Sequence, residues 1–306
     1  DLVLEYAVGA ATVASSWSGY LGKLFHSFGV NLPEHLLMTP FDVGSSGAAG
    51  LINLPAVFIV VVMSLVLIKG TSESAWVNTA IVILKVAIVL IFIFVGFKYV
   101  KAENLTPLIP ENTGKFGEYG WSGIIRAAAV VFFAYIGFDA VSTAAQETKN
   151  PKKAMPIGIM GSLLICTVLY IVFAYVMVGV VHYKEFTAGG GSDHLAPVAI
   201  AIDAMGSVIN GQMVPEYPWL NTSIIIAILL GYASVILVML MGQSRVFYSM
   251  SHDGLLPKVF SEIHSKFRTP FKSNIFFLVF VSLFAAFIPG RVVGEMTSIG
   301  TLFAFI

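Results

Sequence analysis

The sequence predicts an all-α membrane protein, and two observations carry that prediction. Seven long apolar stretches, with the start of an eighth, recur along the 306 residues. Each comes near the 20 or so residues that a membrane-crossing helix needs. The chain as a whole is 57% apolar and 11% charged, with a mean hydropathy of +0.88, whereas soluble domains run near a quarter charged. A soluble bundle would need a polar face on each helix, and these runs lack one. The net charge of zero argues against a nucleic-acid partner, which would need a basic surface. A single cysteine, Cys166, excludes a disulfide framework, and the six histidines show no metal-ligand spacing, so no metal or other cofactor is expected.

The spans follow in order. Span one, 2–25, carries a polar, small-residue stripe of Asp1, Glu5, Thr12, Ser15, Ser16 and Gly19. Such a stripe faces protein or water rather than lipid, and Glu5 fits packing and function equally. Span two is 48–68. Span three, 75–97, is interrupted by Lys85. About ten residues from either edge, at 1.5 Å per residue, put that lysine roughly 15 Å deep, near the bilayer centre. An ammonium held there faces the bundle interior, as a structural cross-link between helices or as a proton or ion site.

Span four, 123–145, contains Phe133-Ala-Tyr-Ile-Gly-Phe-Asp139. Gly137 weakens a helix, and Asp139 is a strong N-cap for a fresh one beginning at Ala140. Two half-helices around an unwound turn fit this pattern, and so does an ordinary kink. Unwound backbone at membrane depth belongs where it lines a cavity or is buried in protein, and its freed carbonyls and N–H groups suit a zwitterion. Span five is 155–181. The connection 182–221 reads as an external loop containing a short helix at Pro197–Met205. Span six, 222–248, places Ser234 near its middle, either bonded to its own helix or accepting from Lys85. Span seven is 274–288, and 297–306 begins an eighth. Both ends of the chain are apolar, which predicts a piece of a longer protein.

The connections after spans two, four and six hold nine Lys/Arg and four acids, while the opposite set holds seven and ten. The positive-inside rule then places the first set in the cytoplasm. Two N-x-S/T triplets, at Asn104 and Asn221, fall on the external side. No G-x-S-x-G elbow, P-loop or H-E-x-x-H appears, so no enzyme is expected.

Two cytoplasmic blocks, Glu147-Thr-Lys-Asn-Pro-Lys-Lys-Ala-Met-Pro156 and Gln243-Ser-Arg-Val-Phe-Tyr-Ser-Met-Ser-His-Asp-Gly-Leu-Leu-Pro257, resemble signatures of the amino acid–polyamine–organocation permease superfamily. Together with Trp121–Asp139, they are most similar to its cationic amino acid transporter branch. The resemblance implies a fold of two inverted five-helix repeats, truncated here to helices three to nine and the start of ten. Span four would be the broken sixth helix. The substrate amino group would sit at the backbone of Phe133, Ala134, Tyr135, Ile136 and Gly137, with Phe133 as an occluding gate. Lys85 would occupy the place where sodium-coupled relatives hold a sodium ion, with Ser234 as its hydroxyl partner. Glu5 and Asp139 would support the site. The helix that binds the substrate carboxylate is absent, and Ala233 stands where a hydroxyl or small residue is expected.

The expected function is therefore an amino-acid permease of the plasma membrane, working by alternating access as a proton symporter. Its partners are an amino-acid substrate, a proton and the lipid bilayer. An exchanger or uniporter for polyamines or cationic amino acids, or a non-transporting sensor on the same scaffold, are the alternatives.

Overall fold

Caps and prolines fix where the helices begin, and several begin away from the edges of the apolar runs. The computed structural model describes residues 2–44, 47, 49–70, 75–135, 137, 150–188, 197–209, 212–215, 218–267 and 269–304. Helix α1 is Leu2–Ser27. Its inner face, including Tyr6, Ala10, Ala14 and Trp17, is buried at the spacing of an amphipathic helix. Two hydroxyls of its polar stripe bond their own helix, Thr12 to the Val8 carbonyl and Ser15 to the Ala11 carbonyl, both at 3.1 Å. Helix α2, Leu54–Lys69, starts later than the expected 48–68. The Asn53 side chain accepts from the Ala56 N–H, and a proline stands in the first turn, so the start is fixed by chemistry rather than by hydropathy.

Helix α3 is Ala75–Phe97. Helix α4, Gly120–Val131, passes at once into a 3₁₀ turn over Phe132–Tyr135. Helix α5, Pro151–Val180, begins before the expected 155 because a proline opens it, its fixed φ suiting a first helical position. One helical turn, Glu185–Ala188, and helix α6, Pro197–Asp203, follow. An antiparallel hairpin then pairs β1, Gly206–Ile209, with β2, Gln212–Pro215. This hairpin is a departure from the all-α expectation for 182–221. Its sequence signal is the Asn210-Gly211 pair between apolar residues, a favoured two-residue hairpin connection.

Helix α7, Pro218–His252, is 35 residues long, about 52 Å. It outruns the expected 222–248 and carries the first part of the Gln243–Pro257 block as helix. It closes where the Leu255 N–H donates to the Met250 carbonyl at 2.9 Å, a bond that satisfies an orphan carbonyl. Helix α8 is Phe271–Phe287. Helix α9, Gly290–Ala304, begins before the expected 297, its first turn anchored by the Val293 N–H on the Pro289 carbonyl at 3.1 Å.

Two cores form. One joins α1, α2, α7, α8 and α9 around Tyr6, Val60, Ile236 and Val281. The other joins α3, α5 and α6 around Phe92, Val176 and Ile202, with Ile224 of α7. Val198 and Ile228 pack against both, so α7 is the shared wall. Outside the cores, α3 exposes Ile83, Val86, Leu90 and Phe94, and α5 exposes Ile157, Leu164, Val168 and Ile171. Each such side chain is worth roughly 1.5–3 kcal/mol when removed from water. Eight of them rival the whole 5–15 kcal/mol or so of a domain's stability, so these faces belong against lipid. Among the described residues, three helices are long and apolar enough to cross a membrane: Thr79–Phe97, Pro151–Val180 and Asn221–His252.

Candidate functional site

Helices α3 and α7 cross where Lys85 meets Ser234. The Lys85 Nζ donates to the Ser234 Oγ at 3.0 Å. A glycine one turn earlier on α7 permits the approach. A Cβ at Gly231 would stand 3.2 Å from Cε of Lys85 and 3.5 Å from its Cγ, so the lysine stem lies along bare backbone. Gly231 and Ser234, three residues apart, share a helix face: one clears the path and the other receives the hydrogen bond.

The half-buried ammonium group opens on a cavity of about 250 Å³ walled by Ile88, Phe92, Phe173, Val198, Ile228 and Tyr232, among others. Lys85 is the one charged residue of that lining. Placing a lysine at mid-membrane costs about 2.5–3.5 kcal/mol on insertion scales, and a hydrogen bond to a charged group returns about 1.5–3. The Ser234 hydroxyl therefore offsets much of the cost, and the other two ammonium hydrogens remain for a second partner.

The α4 helix ends at a second polar cluster. After the 3₁₀ turn, Gly137 adopts φ +112°, a conformation closed to ordinary side chains. The Ala134 carbonyl accepts from the Tyr170 hydroxyl at 2.9 Å, and the Tyr135 hydroxyl lies 3.0 Å from Oγ1 of Thr167. The rings of Tyr135 and Tyr170 meet edge to face at 5.6 Å. A carbonyl has two lone pairs, so the bond from Tyr170 orients Ala134 without exhausting it. Ile136 and Asp139 lie outside the described residues, as does the side chain of Phe133.

Helix α5 links the two clusters. Thr167 and Tyr170 bond the 3₁₀ turn at Tyr135 and Ala134, and Phe173, one step further along the same stripe, walls the Lys85 cavity and packs on Phe92 at 4.5 Å. Glu5 belongs to a different level. It is 3% exposed on the inner face of α1, where the neighbouring Tyr6 ring stands 3.5 Å from a Cβ placed at Gly242. Eight residues of α7 separate Gly242 from Ser234, about 12 Å along the axis.

Several contributors were not singled out in the sequence. Tyr170 and Thr167 bond the 3₁₀ turn that follows α4, and Gly231 makes room for Lys85. Trp17 donates to the Leu229 carbonyl at 3.1 Å, and the Tyr20 hydroxyl accepts from the Val198 N–H at 3.3 Å. A polar aromatic or hydroxyl inside an apolar run needs a partner, and that was the available signal. Of the two N-x-S/T triplets, Asn104 is used structurally: its amide donates to the Gly179 and Val180 carbonyls at 2.8 and 3.2 Å. The Asn221 amide donates to Asp203.

The sequence profile described as "Amino acid permease" matches residues 2–306. The chain is 40% identical over 306 residues to the branched-chain amino acid permease BcaP of Bacillus subtilis, covering 100% of this chain and 60% of that protein. It is 36% identical over 305 residues to the methylthioribose transporter of the same organism, again covering 100% and 60%. It is 30% identical over 305 residues to cationic amino acid transporter 1 of Arabidopsis thaliana, covering 100% and 46%. The chain thus spans about 60% of the length of the bacterial relatives.

Proposed function

The chain belongs to the amino acid permease family, and from that premise we propose that it is part of a secondary-active permease. It moves an amino acid across the plasma membrane by alternating access, with proton coupling at Lys85. The observation that carries the proposal is the Lys85–Ser234 pair, a single charge at 3.0 Å from one hydroxyl in an otherwise apolar cavity between helices of two separate cores. A group so placed feels any movement of one core against the other. The substrate amino group is held at Phe133–Gly137, which the 3₁₀ turn and the φ of Gly137 support. Glu5 and Asp139 are supporting polar groups. Two features support a neutral rather than a cationic substrate. The side chains seen against the break, Tyr135, Thr167 and Tyr170, carry no charge, and one relative is named a branched-chain amino acid permease.

Uptake of radiolabelled amino acids into proteoliposomes, using the full-length protein, tests the proposal. Uptake is expected to depend on an inward proton gradient, and Lys85→Met is expected to retain substrate binding while losing gradient-driven accumulation. Uptake indifferent to pH on both sides would sink the coupling. The second reading, a uniporter or exchanger in which Lys85 is a cross-link, draws on the same hydrogen bond. It predicts instead that Lys85→Met fails to fold or exchanges normally.

A further inference from the structure

Helices α4 and α9 lie side by side with their starts at the same end of the bundle, and two contacts register them. Arg126 of α4 stands 3.7 Å, Nη2 to Oε1, from Glu295 of α9. One turn further along both helices, the Ser298 hydroxyl reaches the Val130 carbonyl at 3.3 Å, sharing its one hydrogen with the Gly294 carbonyl of its own helix at 3.1 Å. The charge bias of the connections predicts this end to be external.

The two helices differ in how firmly they are held. Helix α9 belongs to the first core: Val293 is buried in it, and a Cβ at Gly294 would stand 3.5 Å from Cγ2 of Thr12 on α1. Helix α4 has no buried residue. Packing against the described residues therefore does not fix it, and its polar contacts decide where it stands. On one side these are the bonds of its 3₁₀ turn to Thr167 and Tyr170. On the other they are the contacts to α9.

The same Glu295 oxygen also lies 3.8 Å from Nε of Arg291, one turn back on α9. Two arginines thus compete for one carboxylate, one from α4 and one from the carboxylate's own helix. All three side chains reach solvent, where ion pairs are weak and exchange partners at little cost. When α4 leaves, Glu295 keeps a partner. The Arg126 stem is confined meanwhile, because a Cβ at Gly117 would stand 2.9 Å from its Cδ. That places the loop before α4 over the arginine, and the Asn112 amide holds the loop through the Glu118 and Lys115 carbonyls at 2.8 and 3.0 Å.

We propose that Glu295 is a positioning residue for the broken span. Paired with Arg126, it seats α4 on α9 and closes the external approach to the break; paired with Arg291 alone, it releases α4. The proposal rests on the reading of Phe133–Gly137 as the substrate site. Failure of that reading would appear as absent uptake in proteoliposomes, whereas the test of Glu295 needs no substrate.

A single cysteine, Ala129→Cys, is placed in full-length protein freed of Cys166 and any other cysteine. Ala129 follows Arg126 by three residues on the same helix face and is half-buried, so its rate of reaction with N-ethylmaleimide in detergent reads the separation of α4 from α9. Arg126→Gln is expected to speed labelling by about two- to fivefold, the range open to an exposed ion pair. Arg291→Gln removes the competitor and is expected to slow it. Both changes take one positive charge from the same carboxylate, so a general electrostatic effect on the thiol would move the two rates the same way. Any result other than opposite shifts overturns the proposal. If either variant fails to fold, the Ala129→Cys protein with its charges intact decides. Its labelling by this neutral reagent is expected to quicken from low to high salt, and a rate indifferent to salt overturns the proposal.

Discussion

Ser234 offers Lys85 its one hydrogen bond from a side chain among the described residues, at 3.0 Å, so the two positions answer different questions. Lys85→Met removes the charge and tests coupling. Ser234→Ala keeps the charge and removes its acceptor, which costs about 1.5–3 kcal/mol. Gradient-driven uptake in Ser234→Ala is therefore expected to fall by about tenfold or more, with Ser234→Thr restoring most of it. Normal uptake by Ser234→Ala would remove Ser234 from the site. The lysine was legible in sequence because a charge in an apolar run has few meanings. Its partner Ser234 was legible as one of two options, since a mid-helix serine more often bonds its own backbone, as Thr12 and Ser15 do here. Gly231 was not legible, because its role is visible only when the stem of Lys85 lies 3.2 Å from where its Cβ would be.

At the scale of elements, the breaks carry more information than the runs. Gly137 at φ +112° follows a helix that stops at Val131 and a 3₁₀ turn that ends at Tyr135. An L-residue there pays roughly 1–3 kcal/mol of backbone strain, so Gly137→Ala is expected to lower uptake by about tenfold or more. Circular dichroism is expected to show unchanged helix content. Asn53 makes the contrasting case. It caps α2, with its side chain accepting from the Ala56 N–H at 3.2 Å, and takes part in neither the Lys85 nor the Tyr170 hydrogen bonds. Asn53→Ala is expected to cost about 1 kcal/mol, seen as a fall of about 2–4 °C in melting temperature, with transport unchanged. The weakening of span four at Gly137 was readable from composition. The start of α2 was misread because hydropathy continues through 48–53 while the cap does not, and the hairpin was overlooked although Asn210-Gly211 announces it.

For the whole molecule, two cores form and α7 packs into both. The faces of α3 and α5 that carry Ile83, Phe94, Leu164 and Ile171 are not covered by any described residue, and lipid is a natural contact for them. The charge bias of the connections predicts an orientation that labelling can check. With Cys166 replaced by serine, single cysteines at Lys115 and Lys266 are expected to react with an impermeant maleimide from opposite sides of sealed vesicles, Lys266→Cys from the cytoplasmic face. Labelling of both from one side would reverse or abolish the assigned topology.

By itself the sequence determined the environment, because hydropathy is additive along a chain and a run of twenty apolar residues has one stable solvent. It also determined that Lys85 and Gly137 are exceptional, because a charge and a flexible backbone are costly inside such a run. Only the tertiary structure decided which groups those exceptions meet. Ser234 is 149 positions from Lys85 and Tyr170 is 36 from Ala134, and distances of that kind are set by how helices cross.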